Sequence, residues 1–495
     1  MPVSLPDDLM VSVSGFRGRV GAPLTPELIT SLAAAFGTFL REEGGGQTVY
    51  LGRDSRTSGP MFTDAARAGL VSVGTSVVDL GVVPTPTLLL AAEEAGAAGA
   101  LGVTASHNPA EWNALKFAGG DGLFLDAEQM GRFRKLLDKV NYSRASWDEL
   151  GQVSLDRDAV NRHIERILEL PFVDVEALRK RRFHVALDCV HGAGGQMVPA
   201  LLSQLGCRVS GMGLESDGRF PRDPEPTAAN LTGLGELVRS SGAELGFALD
   251  PDVDRLALVN GEGDPVGEDL TLALCAHVVL SREWSRGPVV TNLSTSQVVE
   301  DVAREAGVPC LRAPVGEVNV ARRMEAEGAP VGGEGNGGVI LRDLHLTRDA
   351  PLGVALILQH LLETGASLKE AVDRWPSYQI VKEKAPFPRE QIQEGYAALL
   401  AAFQPKGADG REEGQGARGG DGTDDGAGQK DQAGTADQSL VVDRSDGLRL
   451  AWPDRREWLH VRPSGTEPVV RFIAEATSRE RAEALVARGR EILGA

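Results

Sequence analysis

Short runs of apolar, β-branched residues alternate along the chain with longer stretches whose apolar positions recur at a helical period. "VYLGRDSR" precedes a helical stretch over 60–74, "FHVALDCVHGAGG" one over 196–206, and "GPVVTNLSTS" one over 297–306. Strand, polar loop, helix is the repeating unit. It predicts α/β domains with mixed, mostly parallel sheets, whose ligand-binding loops lie beyond the carboxyl ends of strands. Near the C-terminus the pattern changes to "LRLAWP", "WLHVRPSGTEPVVRFIAEA" and a last helix over about 478–493, which predicts a smaller α+β domain. Between them, Lys406 to Gln438 fits neither period. It is crowded with Gly, Asp and Gln, carries eight acidic residues against four basic ones, and has no apolar side chain larger than alanine to offset its ordering entropy. It is expected to be a disordered insertion in the last domain.

At roughly 100–200 residues per domain, 495 residues make three or four domains. The boundaries expected from the pattern are 1–155, 156–260, 261–374 and 375–495, three α/β domains followed by the α+β domain. Lys plus Arg total 51 against 70 for Asp plus Glu, a net charge of −19. That balance repels nucleic acid and anionic membranes, so an anionic substrate needs a local basic cluster. Cys189, Cys207, Cys275 and Cys310 lie apart with no C-x-x-C, as reduced thiols would. No run reaches 18 apolar residues, so a cytoplasmic protein without a membrane span is expected. Monomer and homodimer are equally open.

Four loops carry chemistry. "GVTASHNPAEWNALKF" puts Ser106 at the end of an apolar run, with none of the usual activation of a serine nucleophile. Thr104 and Asn108 stand where a G-x-S-x-G elbow needs glycine, and an extended chain would turn His107 away from its neighbour's hydroxyl. "LGFALDPDVDRLALV" ends an apolar strand in Asp250, Asp252 and Asp254 and resumes at once with another. Three carboxylates so close are costly unless a hard divalent cation neutralises them, and Mg²⁺ suits a site of few carboxylates and a phosphate. An EF-hand is excluded, because its glycine and glutamate positions hold Arg255 and Gly261. "APVGGEGNGGVIL" bends around Glu334 and Asn336. "VRPSGTEPVVRF" gathers Arg462, Ser464, Gly465, Thr466 and Arg471 in the way a phosphate is commonly held.

Taken in order, "TASHNP", "DPDVDR", "GGEGNGG" and "RPSGTEP" resemble the phosphoserine, metal, sugar and phosphate loops of the α-D-phosphohexomutases. The likeness runs from "SGFRG" to the final helix, apart from the insertion, and includes "GRDSRTSG" and "VVPTPT". "VGEVNVARRM" and "GGEGNGGVI" look most like archaeal-type phosphoglucosamine mutases, with relatives acting on mannose and glucose phosphates nearby. The resemblance implies an isomerase in which phospho-Ser106 gives its phosphoryl group to a hexose phosphate, passing through a hexose 1,6-bisphosphate that also serves as activator. It implies that Ser106 and the three aspartates hold Mg²⁺ and that Arg255 pairs with the transferring group. Lys116 would be the acid/base, its pKa lowered by cationic surroundings, with His107 holding the serine loop. It also implies that Glu334 binds sugar hydroxyls, that Arg462, Ser464, Gly465, Thr466 and Arg471 hold the idle phosphate, and that Arg17 and Arg53 join the site. A D-x-D-type phosphatase, using the first aspartate as nucleophile, is the rival chemistry.

The chain departs from the family in one place. Many members close the sugar loop with histidine in E-x-S-G-H, whereas this sequence has Gly338 there. Seven residues on, "RDLHLTRDA" offers His345 with Arg348 and Asp349. His345 is expected to replace the missing side chain, provided the chain folds back after the intervening strand.

Overall fold

The computed structural model describes residues 4–13, 15–139, 144–404, 440–464 and 469–495, in two compact units, Met1–Ser377 and Tyr378–Ala495. The proposed insertion therefore lies outside the described residues, as do Gly465 and Thr466.

Three sheets build the first unit. The largest orders its strands β1 (Met10–Ser12), β2 (Gly15–Arg19), β6 (Trp112–Gly119), β5 (Gly99–Val103), β3 (Thr48–Arg53), β4 (Ser76–Val82), β7 (Val153–Leu155). Strands β5, β3, β4 and β7 run parallel, while β6 returns antiparallel beside β5. The second sheet holds β8 (His184–Asp188), β9 (Arg208–Met212), β10 (Leu245–Leu249) and β11 (Leu256–Val259); the third holds β12 (Val289–Asn292), β13 (Cys310–Ala313), β14 (Val331–Glu334) and β15 (Gly338–Leu341). Each has three parallel strands and one antiparallel edge strand. The expected helices follow their strands at Gly59–Val71, Gly194–Gln204 and Val298–Glu305.

One rule places the chemistry. The serine loop joins β5 to β6, the aspartate loop joins β10 to β11, and the glycine-rich loop joins β14 to β15. Each connects the strand at one end of its sheet's parallel set to the antiparallel strand beside it. This is why the sequence shows two apolar runs separated by a short polar turn. Strand alternation then sorts the side chains of β6: Leu115 and Phe117 enter the apolar core with Phe16, Phe36 and Phe133, and Lys116 between them points to the other face. Burying each ring is worth roughly 1.5–3 kcal/mol, which fixes the strand that carries the lysine.

The second unit is an antiparallel sheet of β16 (Gln379–Pro386), β20 (Val469–Ala476), β19 (Glu457–Pro463), β18 (Leu448–Trp452) and β17 (Val441–Asp443), packed on helices Ile392–Phe403 and Arg479–Leu493. It is the α+β domain that the sequence pattern predicts. Among the described residues no helix is long and apolar enough to cross a membrane.

Candidate active site

Ser106 has φ of +50°, a left-handed conformation that a non-glycine residue seldom adopts, and Val253 in the aspartate loop has φ of +66°. Such backbone persists only where the surroundings over-determine it. At Ser106 the surroundings are Arg56. Its buried guanidinium donates to the carbonyls of Ser106 (2.6 Å), Pro109 (2.7 Å), Trp112 (2.9 Å) and Asn108, and its Nε to Asp54 (3.0 Å). All five N–H bonds are used. Asp54 also accepts from Thr104, whose hydroxyl in turn accepts the Ser106 N–H at 2.9 Å.

The left-handed turn corrects one expectation. The loop is not extended, so His107 does not point away: its Nδ1 lies 3.3 Å from Ser106 Oγ. Burial, then the neighbouring Arg255 and Arg17, hold its imidazole well below the usual histidine range, so it faces the hydroxyl as a neutral ring. Ser106 Oγ donates to Asp250 Oδ2 at 3.0 Å. The serine loop and the aspartate loop, 144 residues apart in sequence, thus meet at the candidate reacting atom.

The three aspartates are fully buried, and one oxygen from each lies within 4.8 Å of the others. Asp250 Oδ1 accepts the amides of Asp254 and Arg255. Asp252 Oδ2 accepts from Thr85 and Lys116, both at 2.7 Å, and Asp254 Oδ2 pairs with Arg348. Asp252 Oδ1 and Asp254 Oδ1 are buried with no hydrogen-bond donor. Orphaned acceptors in a buried, all-oxygen set fit a hard divalent cation. Burial, reinforced by Asp254 and Asp252, pushes the Asp250 carboxyl well above the usual range, which is the strain such a cation would relieve.

Lys116 brings a second correction. Its surroundings are anionic, with Nζ 2.7 Å from Asp252 and 3.9 Å from Asp254. Burial pushes its pKa down, but the two carboxylates outweigh burial and the net shift is upward. In this state Lys116 is a firmly held ammonium.

Glu334 lies opposite, 4% exposed, accepting from Asn292 (2.7 Å) and the Gly316 amide (3.0 Å) at Oε1 and from Arg348 (2.7 Å) at Oε2. Burial raises its pKa, but Arg348 and the two donors bring it below the usual value. Asn336 caps the turn by accepting the Gly338 amide. The chain does fold back after β15, and the side chain it brings to Glu334 is that of Arg348. His345 turns instead to Asp349, at 3.0 Å, with its ring edge-on to His163.

Of the remaining residues, Arg17 hydrogen-bonds Asn108 of the serine loop, and Arg255 pairs with Glu225 and lies 3.7 Å from Asp254. Arg53 does not join this cluster. It lines a separate cavity of about 580 Å³ with Arg67, Asp79 and Arg157, because it sits at the end of β3 while Arg56 turns toward the serine. In the second unit Arg462 and Arg471 are direct cross-strand partners, and Lys384 is the partner of Arg471 on its other side. A row of three cations is unfavourable without an anion to share. Arg462 also pairs with Asp446, and the Ser464 carbonyl accepts from Arg389.

The sequence pattern does not mark Asp54, Arg56, Thr85 or Glu317, and it offers Arg348 only as a neighbour of His345. "GRDSR" and "HLTRD" contain the charged members of each cluster, but nothing in a linear pattern says which arginine turns inward.

The chain matches, in order, phosphoglucomutase/phosphomannomutase α/β/α domain I over residues 9–143, domain II over 161–263, domain III over 267–378 and the C-terminal domain over 391–492. A phosphoglucomutase/phosphomannomutase of Thermococcus kodakarensis is 36% identical, covering 97% of both chains. A probable phosphoglucosamine mutase of Methanopyrus kandleri is 37% identical, covering 95% of both. The crystal structure of a phosphoglucomutase/phosphomannomutase family protein from Burkholderia thailandensis superposes with a TM-score of 0.79 at 26% identity, covering 98% of each chain. The chain therefore belongs to the phosphoglucomutase/phosphomannomutase family, the α-D-phosphohexomutases, and is a mutase of the isomerase class.

Proposed function

We propose that this mutase interconverts glucosamine 6-phosphate and glucosamine 1-phosphate through a phosphoserine at Ser106 and a hexose 1,6-bisphosphate. The observation that carries the reading is the buried contact of Ser106 Oγ with Asp250, with Lys116 on Asp252 of the same acidic loop. Ser106 carries the phosphoryl group: its P–O bond breaks as one forms to a sugar hydroxyl, and the sugar proton leaves by way of the acid/base group. Acting as that group, the Lys116 ammonium gives a proton to the leaving Ser106 oxygen and, as the neutral amine, takes the sugar proton; the reverse exchange returns a proton to the sugar when the second phosphate goes back to Ser106. Asp250, Asp252, Asp254 and Ser106 would hold Mg²⁺, which supplies positive charge to the phosphoryl oxygens when bound. His107, neutral, keeps the hydroxyl oriented. Arg255 and Arg17 face the transferring group. Glu334 and Asn336 take the sugar hydroxyls, and Arg462, Ser464, Gly465, Thr466 and Arg471 take the idle phosphate. The setting of this chemistry is cytoplasmic.

One of the two relatives above is named for glucosamine phosphate and the other for glucose and mannose phosphates, so the second reading is the same mechanism on those sugars. The test is turnover of glucosamine, mannose and glucose 6-phosphates with trace hexose 1,6-bisphosphate. The expected result is the highest kcat/KM for glucosamine 6-phosphate. A higher value for mannose or glucose 6-phosphate moves the assignment to the second reading.

A further inference from the structure

Arg348 is the least expected member of the site. It is 7% exposed, and its guanidinium touches three carboxylates from three parts of the chain: Glu334 at 2.7 Å, Asp254, and Glu317 at 3.3 Å through Nε. Its backbone is held as firmly. The Arg348 amide donates to Glu317 (2.8 Å), the Asp349 amide to Val339 of β15 (2.8 Å), and the Ala350 amide to Val253 of the aspartate loop (3.2 Å). The next side chain, Asp349, is fixed by His163 at 2.8 Å and His345 at 3.0 Å, and it caps the helix Ala350–Thr364. An arginine so anchored at both ends loses little rotamer freedom when it pairs, so its geometry can be imposed on weaker neighbours.

The aliphatic stem carries a second, independent observation. A Cβ built on Gly338 would lie 2.2 Å from Arg348 Cδ and 2.9 Å from its Cγ. These are mid-chain atoms, and the guanidinium beyond them is tied to three acids, so the stem cannot swing aside at low cost. Gly338 has an ordinary backbone conformation. It is glycine because Arg348 occupies its side-chain space beside Glu334.

We propose that Arg348 is the positioning residue of this active site, fixing the sugar-facing carboxylate Glu334 relative to Asp254 of the phosphoryl-transfer centre, in space that only glycine at 338 leaves open. The inference rests on the reading of Glu334 given above. Arg348 acts through Glu334, so its loss changes how well the enzyme distinguishes sugars as well as how fast it turns over. A guanidinium stays protonated throughout the working pH range, so the tie persists where an imidazole would titrate.

The experiment compares wild type, Arg348→Met, Glu334→Gln and the pair, with kcat and KM measured on glucosamine, glucose, mannose and galactose 6-phosphates. Methionine keeps the stem over Gly338 and removes the charge. Each single variant is expected to lose roughly 10–100-fold in kcat/KM, the usual worth of a buried charged hydrogen bond, and the pair to be no worse than either alone. The ratio between the best sugar and its epimers should narrow in Arg348→Met, whereas a merely structural defect would lower all sugars together and leave the ratio unchanged. Gly338→Ala should lower both Tm and kcat/KM in wild type and change neither further in an Arg348→Ala background. An Arg348→Met enzyme with wild-type rates and ratios, beside a damaged Glu334→Gln, would overturn the inference alone. A Glu334→Gln enzyme with wild-type sugar kinetics would overturn the reading of Glu334 itself. Equal losses from Gly338→Ala in both backgrounds would overturn the steric part.

Discussion

Among the described residues, two clusters in the first unit bring three ligand-type side chains together at full burial, and they are built on opposite principles. Asp250, Asp252 and Asp254 form one; His163, His345 and Asp349 form the other. In the second, the carboxylate is fully matched and, of the ring nitrogens, His345 Nδ1 alone is buried without a partner. Both histidine Nε2 atoms meet Asp349 Oδ2, its Oδ1 accepts the Leu352 amide, and His163 Nδ1 meets Thr87 Oγ1 at 2.8 Å. In the first, two carboxylate oxygens have no donor and the charges repel. Convergence of ligand atoms alone therefore does not mark a metal site. Unpartnered carboxylate oxygens among mutually repelling charges do, and the histidine cluster, whose one carboxylate is fully matched, is read as a knot that fixes the segment carrying Arg348.

The largest expected effect tests the catalytic side of this contrast. Lys116→Ala should lower kcat by roughly 10²–10⁴, the range of a positioned acid/base group, and should also lower the Tm of the cation-free protein, because Asp252 loses its buried partner. A near-normal rate would reduce Lys116 to a counter-ion of Asp252.

The structural side comes next. Asp349→Ala removes the shared acceptor of two buried histidines together with a helix cap, and should cost about 3–5 kcal/mol, read as a lower denaturant midpoint with unchanged cation affinity. If Asp349→Ala instead abolished cation binding while leaving stability intact, the two clusters would have to exchange roles. Asp250→Asn should behave in the opposite way, abolishing cation binding and turnover while raising the Tm of the cation-free protein, because one of three mutually repelling charges is gone.

Adding Mg²⁺ at about 100 times its Kd should stabilise the wild type by about 2.7 kcal/mol and Asp250→Asn by far less. Equal stabilisation of both would place the cation elsewhere.

The smallest effect is in pH. Burial, then His277 and Arg374, hold His360 at about 4, and burial also lowers His345. Unfolded histidines, near 6.5, take up protons that these folded ones refuse, so the unfolded state binds more protons as pH falls. Stability is full above about pH 6.5 and declines between there and about pH 4. A Tm that rose over that interval would contradict the buried, neutral assignment.

Much of this was legible in the sequence because the four loops are hairpins between apolar strands, and a polar turn between two apolar runs keeps its catalytic residues contiguous. Ser106, the three aspartates and Glu334 were found that way. What the sequence did not reveal arises where distant segments meet. Arg53 and Arg56 are equally basic and three residues apart, yet only Arg56 turns under the serine loop. The surroundings of Lys116 were read with the wrong sign, because Asp252 is 136 residues away along the chain. His345 and Arg348 share one turn, and which of them reaches Glu334 depends on Asp349 drawing the histidine toward His163.

The most direct test of the central claim is the intact mass of the protein after incubation with hexose 1,6-bisphosphate, with the modified residue mapped and the charged enzyme then given glucosamine 6-phosphate. The account predicts one labile phosphoryl group on Ser106, absent from Ser106→Ala, that passes to the sugar without stoichiometric release of inorganic phosphate. A phosphoryl group on Asp250, or none anywhere with inorganic phosphate released, would contradict it.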